Sequence, residues 1–470
     1  MFSRKFAPAL LAGTMFAAWA TPALAQQSDN DRFKALEARL GALDAEVSEL
    51  RSALAAERAR NAGAATHASQ ARPVTVAAPA PAATVTPPLA PALVPASTTK
   101  PANDGPTVKV SGFFKTVATF SHTSAGAIAA NTIGRDFYVP GAIPVGGRSG
   151  GTDFETHAKQ TRIVIAASTP VGGHTLSGLV ETDFQTGFGA GNQRIVNAYN
   201  PGLRRAFLQY DGFLAGQEWT NFQYVPALPE TTDYLGPSEG TVFARQSQIR
   251  YTAKLSPALT LSIAAENPAT MSATVGGPLM ENNTDRLPDG TARLTWKLGK
   301  SELSFAGVAR KLTVSGPNND ADATAFGASV AGKLVFGPNG RHDLRFMATH
   351  GTGIGRYVGL NLVPDAMVET NAGHIRLAMV DVTAGFAALR FGWTRTLRST
   401  VMGSYQTADY PAGINDLAAT KNSWSGAANL FYSPIKPVDL GIEVRHGRRE
   451  LVSGDHGVLD RFEMIAKYSF

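Results

Sequence analysis

The carboxy-terminal segment of this chain alternates in character at nearly every residue. Phe462, Met464, Ala466, Tyr468 and Phe470 fall on one face of an extended backbone. Arg461, Glu463, Lys467 and Ser469 fall on the other, with Ile465 the one apolar residue among them. Successive side chains of a strand point to opposite faces. A strand that is apolar along one whole edge and polar along the other suits lipid on one side and water on the other. The pattern recurs upstream. Ile249, Tyr251, Ala253 and Leu255 oppose Gln248, Arg250, Thr252 and Lys254. Ala292, Leu294, Trp296 and Leu298 oppose Thr291, Arg293, Thr295 and Lys297, and Val438, Leu440, Ile442 and Val444 oppose Asp439, Glu443 and Arg445.

The amino terminus adds a route to a membrane. Arg4 and Lys5 precede an apolar run from Phe6 to about Ala20, and Ala23-Leu24-Ala25 forms a small-x-small cleavage site. These features predict a secretory signal peptide over 1–25. No later stretch is apolar for long enough to form a spanning helix. A closed β-barrel is then the way across lipid, because every backbone polar group must be paired there. The chain holds no cysteine, which excludes disulfides, thiolate metal sites and a cysteine nucleophile. Removing Arg4 and Lys5 with the signal takes the formal charge from +6 to +4, too mild a balance to argue for nucleic acid.

Residues 26–60 carry a heptad repeat. Phe33, Leu40, Val47 and Leu54 take one seam position and Leu36, Leu43 and Leu50 the other, flanked by Glu37, Arg39, Asp44, Glu46 and Arg51. Three heptads predict a short α-helical coiled coil that needs partner chains, and its core residues leave dimer and trimer open. Residues 61–106 are rich in Ala, Pro, Thr and Val, as in Ala78-Pro79-Ala80-Pro81, and predict an extended tether.

From 107 to 470 the chain alternates strand and connection. Short connections fall near 169–173, 211–213, 256–257, 299–300, 337–340, 396–399 and 433–437. Long polar ones fall near 123–156, 186–202, 218–246, 267–289, 311–323, 352–382, 409–422 and 447–458. Short turns on one rim and long loops on the other are what a membrane barrel requires. The count gives an all-β fold of sixteen antiparallel transmembrane strands preceded by the coiled coil, with both ends of the barrel segment on the periplasmic side.

Two loops carry most of the distinctive sequence. GRDFYVPGAIPVGG spans 134–147 and ALPETTDYLGPSEGTVFARQSQIRY spans 227–251, with FETHAKQTRI at 154–163 and FLAGQEWTNF at 213–222. These segments, and the order of signal, coiled coil, tether and barrel, resemble the DcaP-like outer-membrane porins. The terminal Phe470 likewise resembles the ending of outer-membrane barrels. The resemblance implies a homotrimeric porin in outer-membrane lipid that passes small anionic solutes such as dicarboxylates, with the coiled coil in the periplasm.

Face assignment puts Arg162, Arg250, Arg293, Arg345 and Arg445 toward the lumen, with Arg310 near a strand end. Lumen acids are Glu181, Asp183, Glu266, Asp343, Glu443 and Glu463. Rings of arginine favour anions through charge and bidentate contacts, whereas arginines paired with these acids would only solvate the wall. The candidate constriction is Arg135 and Arg148 on the first loop, Arg245 on the 218–246 loop, and Arg162, Arg250 and Arg293 on the wall. Enzyme readings are disfavoured. His122, His157, His174, His342, His350, His374, His446 and His456 lack metal-ligand spacing, and neither His-Glu-x-x-His nor Gly-x-Ser-x-Gly occurs. No catalytic residue, metal or cofactor is expected. The rival reading is an outer-membrane anchor whose coiled coil holds a periplasmic partner or peptidoglycan.

Overall fold

In a computed structural model of the chain, residues 105–129, 132–148, 150–185 and 199–470 are described. The expected signal at 1–25, the coiled coil at 26–60 and nearly all of the tether at 61–106 lie outside them.

Sixteen antiparallel strands form one closed barrel. The first runs Thr107–Thr123, and the second is broken into Thr152–His157 and Arg162–Val171. The third to eighth are His174–Asp183, Gly202–Tyr210, Phe213–Trp219, Arg245–Lys254, Leu259–Glu266 and Asp289–Leu298. The ninth to twelfth are Ser301–Ser315, Asp320–Phe336, His342–Thr352 and Asp381–Gly392. Leu397–Asp409, Thr420–Tyr432, Val438–Leu451 and His456–Ser469 complete the wall. The first strand closes on the sixteenth, from Phe113 opposite Ser469 to Thr123 opposite Leu459. Closure leaves no edge with unpaired backbone groups, the condition for burying strands in lipid.

The alternation of the sequence becomes the two faces of this wall. Ile249, Trp296, Ile442, Val444 and Met464 are exposed on the outside, while Gln248, Arg250, Arg293, Glu443 and Glu463 are buried on the lumen side. Ile465 packs in the lumen with Val117 and Phe431, so the one apolar exception on the polar face has partners. Exposed Phe114, Phe213, Tyr251, Trp296, Trp393, Tyr432 and Tyr468 lie near the short-turn rim, and Phe120, Phe154, Phe326, Tyr405 and Trp424 lie toward the loop rim. These are the aromatic belts of a lipid-facing wall.

Two connections expected to be long are not. The strands run on to Ser315 and from Asp320, and to Leu451 and from His456, leaving turns at 316–319 and 452–455. Beyond the lipid both faces of a strand meet water, so residues such as Lys311, Asp322, Arg448 and Glu450 read as loop. Instead they pair on or across strands, Lys311 with Asp322 at 3.8 Å and Arg448 with Glu450 at 3.1 Å. The connections after the seventh and eleventh strands contribute Thr270–Ala273, Met280–Asn282, Ala366–Asn371 and His374–Met379 to a separate four-stranded sheet. Buried Asp365 pins that sheet to the barrel, accepting from Met271 N and Arg356 N at 2.9 Å each and pairing with Arg310 at 3.0 Å.

The break in the second strand is a β-bulge. Phe113 pairs with Arg162 below it and Val117 with His157 above it, so four residues, 158–161, face the three at 114–116. The extra residue changes which alternate positions face inward. Below the bulge the even-numbered Arg162 faces the lumen, and above it the odd-numbered Glu155 and His157 do.

Candidate functional site

The connection between the fifth and sixth strands crosses the barrel interior. From Thr220 to Val242 it is largely buried, although it joins strands on the barrel's near side. Several of its partners lie on the far wall. Arg398 of the thirteenth strand holds Glu230 through Nε at 2.7 Å and Nη2 at 2.6 Å. Asn429 of the fourteenth donates to Glu230 O at 2.8 Å, and Thr232 N donates to Glu443 of the fifteenth at 3.2 Å. Lys115 of the first strand donates to Gln160 Oε1 and Thr232 O, and its ammonium lies 3.5 Å from the centre of the Tyr234 ring.

Sequence explains why this loop stays in. Pro226, Pro229 and Pro237 restrict the backbone and lower the entropy lost on ordering. Phe222, Tyr224, Ala227, Leu228 and Val242 pack on Val308, Ala331, Met347, Ala384 and Phe386 of the wall. Gly240 lies so close to Gly385 that an added Cβ would stand 2.2 Å from the Gly385 carbonyl oxygen. Tyr234 adopts φ +67°, a left-handed conformation costly for a tyrosine, and its side chain sits over Lys115 with Phe113 5.5 Å away.

The first loop follows it inward. Tyr138 and Ile143 are fully buried, and Pro144 O lies so near Gly457 that a Cβ there would stand 1.9 Å from it. Asp136 accepts from Lys159 Nζ at 2.7 Å, which ties this loop to the bulge in the second strand. Tyr138 N donates to Asp233 Oδ2 at 3.3 Å, joining the two loops. Burial and the adjacent Glu239 carboxylate push the Tyr138 phenol well above its ordinary range, so it remains a hydrogen-bond donor.

The lumen arginines divide by their partners. Arg162 pairs with Glu181 at 3.0 Å and Asp183 at 3.3 Å. Arg205 pairs with Glu181 at 3.0 Å and Glu218 at 2.7 Å, and Arg204 with Asp183. Arg310, Arg345, Arg398 and Arg445 also have carboxylate partners. Arg245, Arg250 and Arg293 have none at ion-pair distance among the described residues. Arg245 stacks 4.8 Å from the Trp219 ring centre with a buried, unpartnered Nη1. Arg293 donates through Nη1 to Gln223 O at 2.6 Å and Asn221 O at 3.3 Å, and its Nε has no partner. The Arg250 guanidinium has no hydrogen-bond partner among the described residues.

Of the six candidate residues, Arg162 and Arg245 lie within electrostatic reach of each other and of Arg204. Arg250 and Arg293 form a second group, with Glu218 and Glu266 within electrostatic reach of both and Arg205 within reach of Arg250. Arg135 stands apart near the loop rim, donating to Ile128 O at 3.1 Å and pairing with Asp153 at 3.4 Å. Arg148 is exposed on the first loop.

The family model of the DcaP outer membrane protein matches residues 96–470 of this barrel. The chain belongs to the DcaP outer membrane protein family. Among solved structures, the outer membrane channel DcaP of Acinetobacter baumannii is similar at 24% identity, covering 78% of this chain and 98% of its own, with a TM-score of 0.65. A loop-deletion mutant of OmpT from Vibrio cholerae is similar at 13% identity over 78% of this chain and 100% of its own, with a TM-score of 0.49. No curated protein matches the sequence. The DcaP assignment and the barrel place this chain in an outer membrane.

Two lumen residues of this DcaP-family barrel escape a reading by alternation. Arg204 and Arg205 are adjacent, yet both point inward. The pairing shifts by one between Glu181 opposite Arg205 and Thr182 opposite Leu203, so Arg204 is the extra residue of a second bulge. An Arg-Arg pair at a loop-to-strand junction was the available signal.

Proposed function

We propose that this barrel is a passive outer-membrane channel for small organic anions of dicarboxylate type. The observation that carries the reading is that Arg245, Arg250 and Arg293, on strands beside the inward loop, have no carboxylate at ion-pair distance among the described residues. In a narrow lumen with low-dielectric walls, uncompensated charge of one sign concentrates the opposite ion. A carboxylate entering there exchanges water for charge-assisted hydrogen bonds, and a second carboxylate can engage the neighbouring group at Arg162 and Arg204. Arg135, near the loop rim, and the exposed Arg148 would add to the field at the mouth.

The working unit in this reading is a homotrimer assembled through barrel walls. Residues 1–25 are a cleaved signal, 26–60 a periplasmic coiled coil and 61–106 its tether. The long loops face outward, so protease added to intact cells should cut within 267–289 or 352–382 and spare 31–60.

Reversal potentials in a potassium chloride gradient test the central claim. An anion-selective channel whose succinate flux exceeds that of a neutral sugar of similar size is expected. Cation selectivity would overturn it. The anchor reading draws on the close filling of the lumen by the 220–242 segment, and a barrel that conducts nothing in a planar bilayer would favour it.

A further inference from the structure

Two loops that enter the lumen meet at one carboxylate. Glu239, at the end of the 220–244 crossing, is fully buried. Its Oε1 accepts from the Tyr138 hydroxyl of the first loop. Its Oε2 accepts from Ser404 Oγ at 2.5 Å and Ser425 Oγ at 3.0 Å, on the thirteenth and fourteenth strands. The two serine hydroxyls are themselves 3.0 Å apart. No cation lies at ion-pair distance from Glu239 among the described residues. The nearby positive charge is Arg445, stacked 4.8 Å from the Tyr138 ring centre and reaching Ser425 Oγ at 3.5 Å.

Tyr138 is held by the crossing loop at three points, through its N–H to Asp233, its carbonyl from Ser238 Oγ at 3.0 Å and its hydroxyl to Glu239. Its ring fills the space over Gly447, where a Cβ would stand 2.3 Å from the hydroxyl oxygen and 2.6 Å from the ring. A carboxylate taken out of water without a cation is costly unless several donors satisfy it. Three hydroxyls do so here, and they come from three different elements. The arrangement therefore exists only when both loops are seated against the far wall.

We propose that Glu239 and Tyr138 are the positioning pair that sets the aperture of the channel, fixing the crossing loop at its distance from the unpaired arginines. The assignment rests on the reading of the barrel as a conducting channel. Neither residue needs to touch the solute. Releasing the knot lets the crossing loop and the first loop separate from the wall and from each other, which widens the path and weakens the focusing of charge on it.

The test is single-channel recording and reversal potential on Tyr138→Phe, Glu239→Ala and Glu239→Gln, each checked for a folded barrel by heat-modifiable electrophoresis. Tyr138→Phe keeps the ring and removes only the hydroxyl. It and Glu239→Ala are expected to raise conductance several-fold, with flickering sublevels, and to lower the chloride-over-potassium preference. Glu239→Gln, which still accepts from Tyr138 and can donate to a serine, is expected to restore conductance near that of the native channel. Should Glu239→Ala fail to fold, the double variant Ser404→Ala/Ser425→Ala loosens the same carboxylate and is expected to give an intermediate conductance. Folded Tyr138→Phe and serine-variant channels with native conductance and selectivity would overturn the positioning role. A native protein that conducts nothing would instead defeat the channel reading itself.

Discussion

Arg345 and Arg250 both project into the lumen from barrel strands, and both are buried. Arg345 lies on the wall that carries the crossing loop, with its Nε 2.6 Å from Asp343 and its Nη1 on Leu228 O. Arg250 lies on the opposite side, with no such partner among the described residues. On the loop-bearing wall, arginine is structural cement: Arg398 to Glu230 and Asp439, Arg445 to Glu443, Arg310 to Asp289 and Asp365. On the sixth and eighth strands Arg250 and Arg293 have no carboxylate at ion-pair distance among the described residues, and Arg293 instead donates to Asn221 O and Gln223 O of the loop. The same residue type stands in two settings, and local carboxylates decide which.

The comparison can be broken most severely on the loop-bearing wall. Glu443→Ala leaves Arg445 buried without its 2.7 Å partner and deprives Thr232 N and Asn429 Nδ2 of an acceptor. A loss of roughly 3–5 kcal/mol is expected, as for other broken buried pairs. It would be measured as the shift in the urea midpoint of folded barrel. Arg250→Ala should leave that midpoint nearly unchanged, and equal shifts for the two variants would erase the distinction.

Next in size is a change one residue away. Ile249 is exposed on the outer wall beside Arg250. Ile249→Arg puts a charge into lipid and should cost roughly 2–4 kcal/mol if the site lies near the bilayer midplane. The readout is the same denaturation in lipid vesicles. A neutral outcome would mean that this wall is not lipid-facing.

Selectivity is a smaller energy with a clear signal. Each unpaired arginine is expected to contribute about 1 kcal/mol of attraction in a wet lumen, or about a five-fold preference. Arg250→Ala/Arg293→Ala should lower the chloride-over-potassium permeability ratio by more than Arg162→Ala does, since Arg162 is already shared by Glu181 and Asp183. The smallest effect belongs to Arg148→Ala. Its exposed charge is screened within about 8 Å at physiological salt, and native reversal potentials are expected.

The sequence made the barrel legible because a period of two is visible wherever one face meets lipid. The final strand and those around Arg250, Arg293 and Glu443 need nothing but alternation to assign. It was less informative where the strands rise above the lipid, which is why Lys311–Asp322 and Arg448–Glu450 resembled loop. The candidate site was half legible. Lumen-facing arginines such as Arg162, Arg250 and Arg293 follow from alternation, unlike Arg204 at its bulge, but their pairing depends on the neighbouring strand and on a loop that returns from far away in sequence. Glu239 carried no signal beyond lying in a distinctive segment, because its three donors come from positions 138, 404 and 425.

The bulge at 158–161 behaves as a frameshift in the wall. Every inward position on the second strand above it depends on one inserted residue, just as codons depend on what precedes them. Deleting a single residue there would put Asp153, Glu155 and His157 in register with lipid and turn Phe154 toward water. The Lys159–Asp136 tie to the first loop would go with them. A length change of one residue in that short stretch should therefore be more damaging than most substitutions within it.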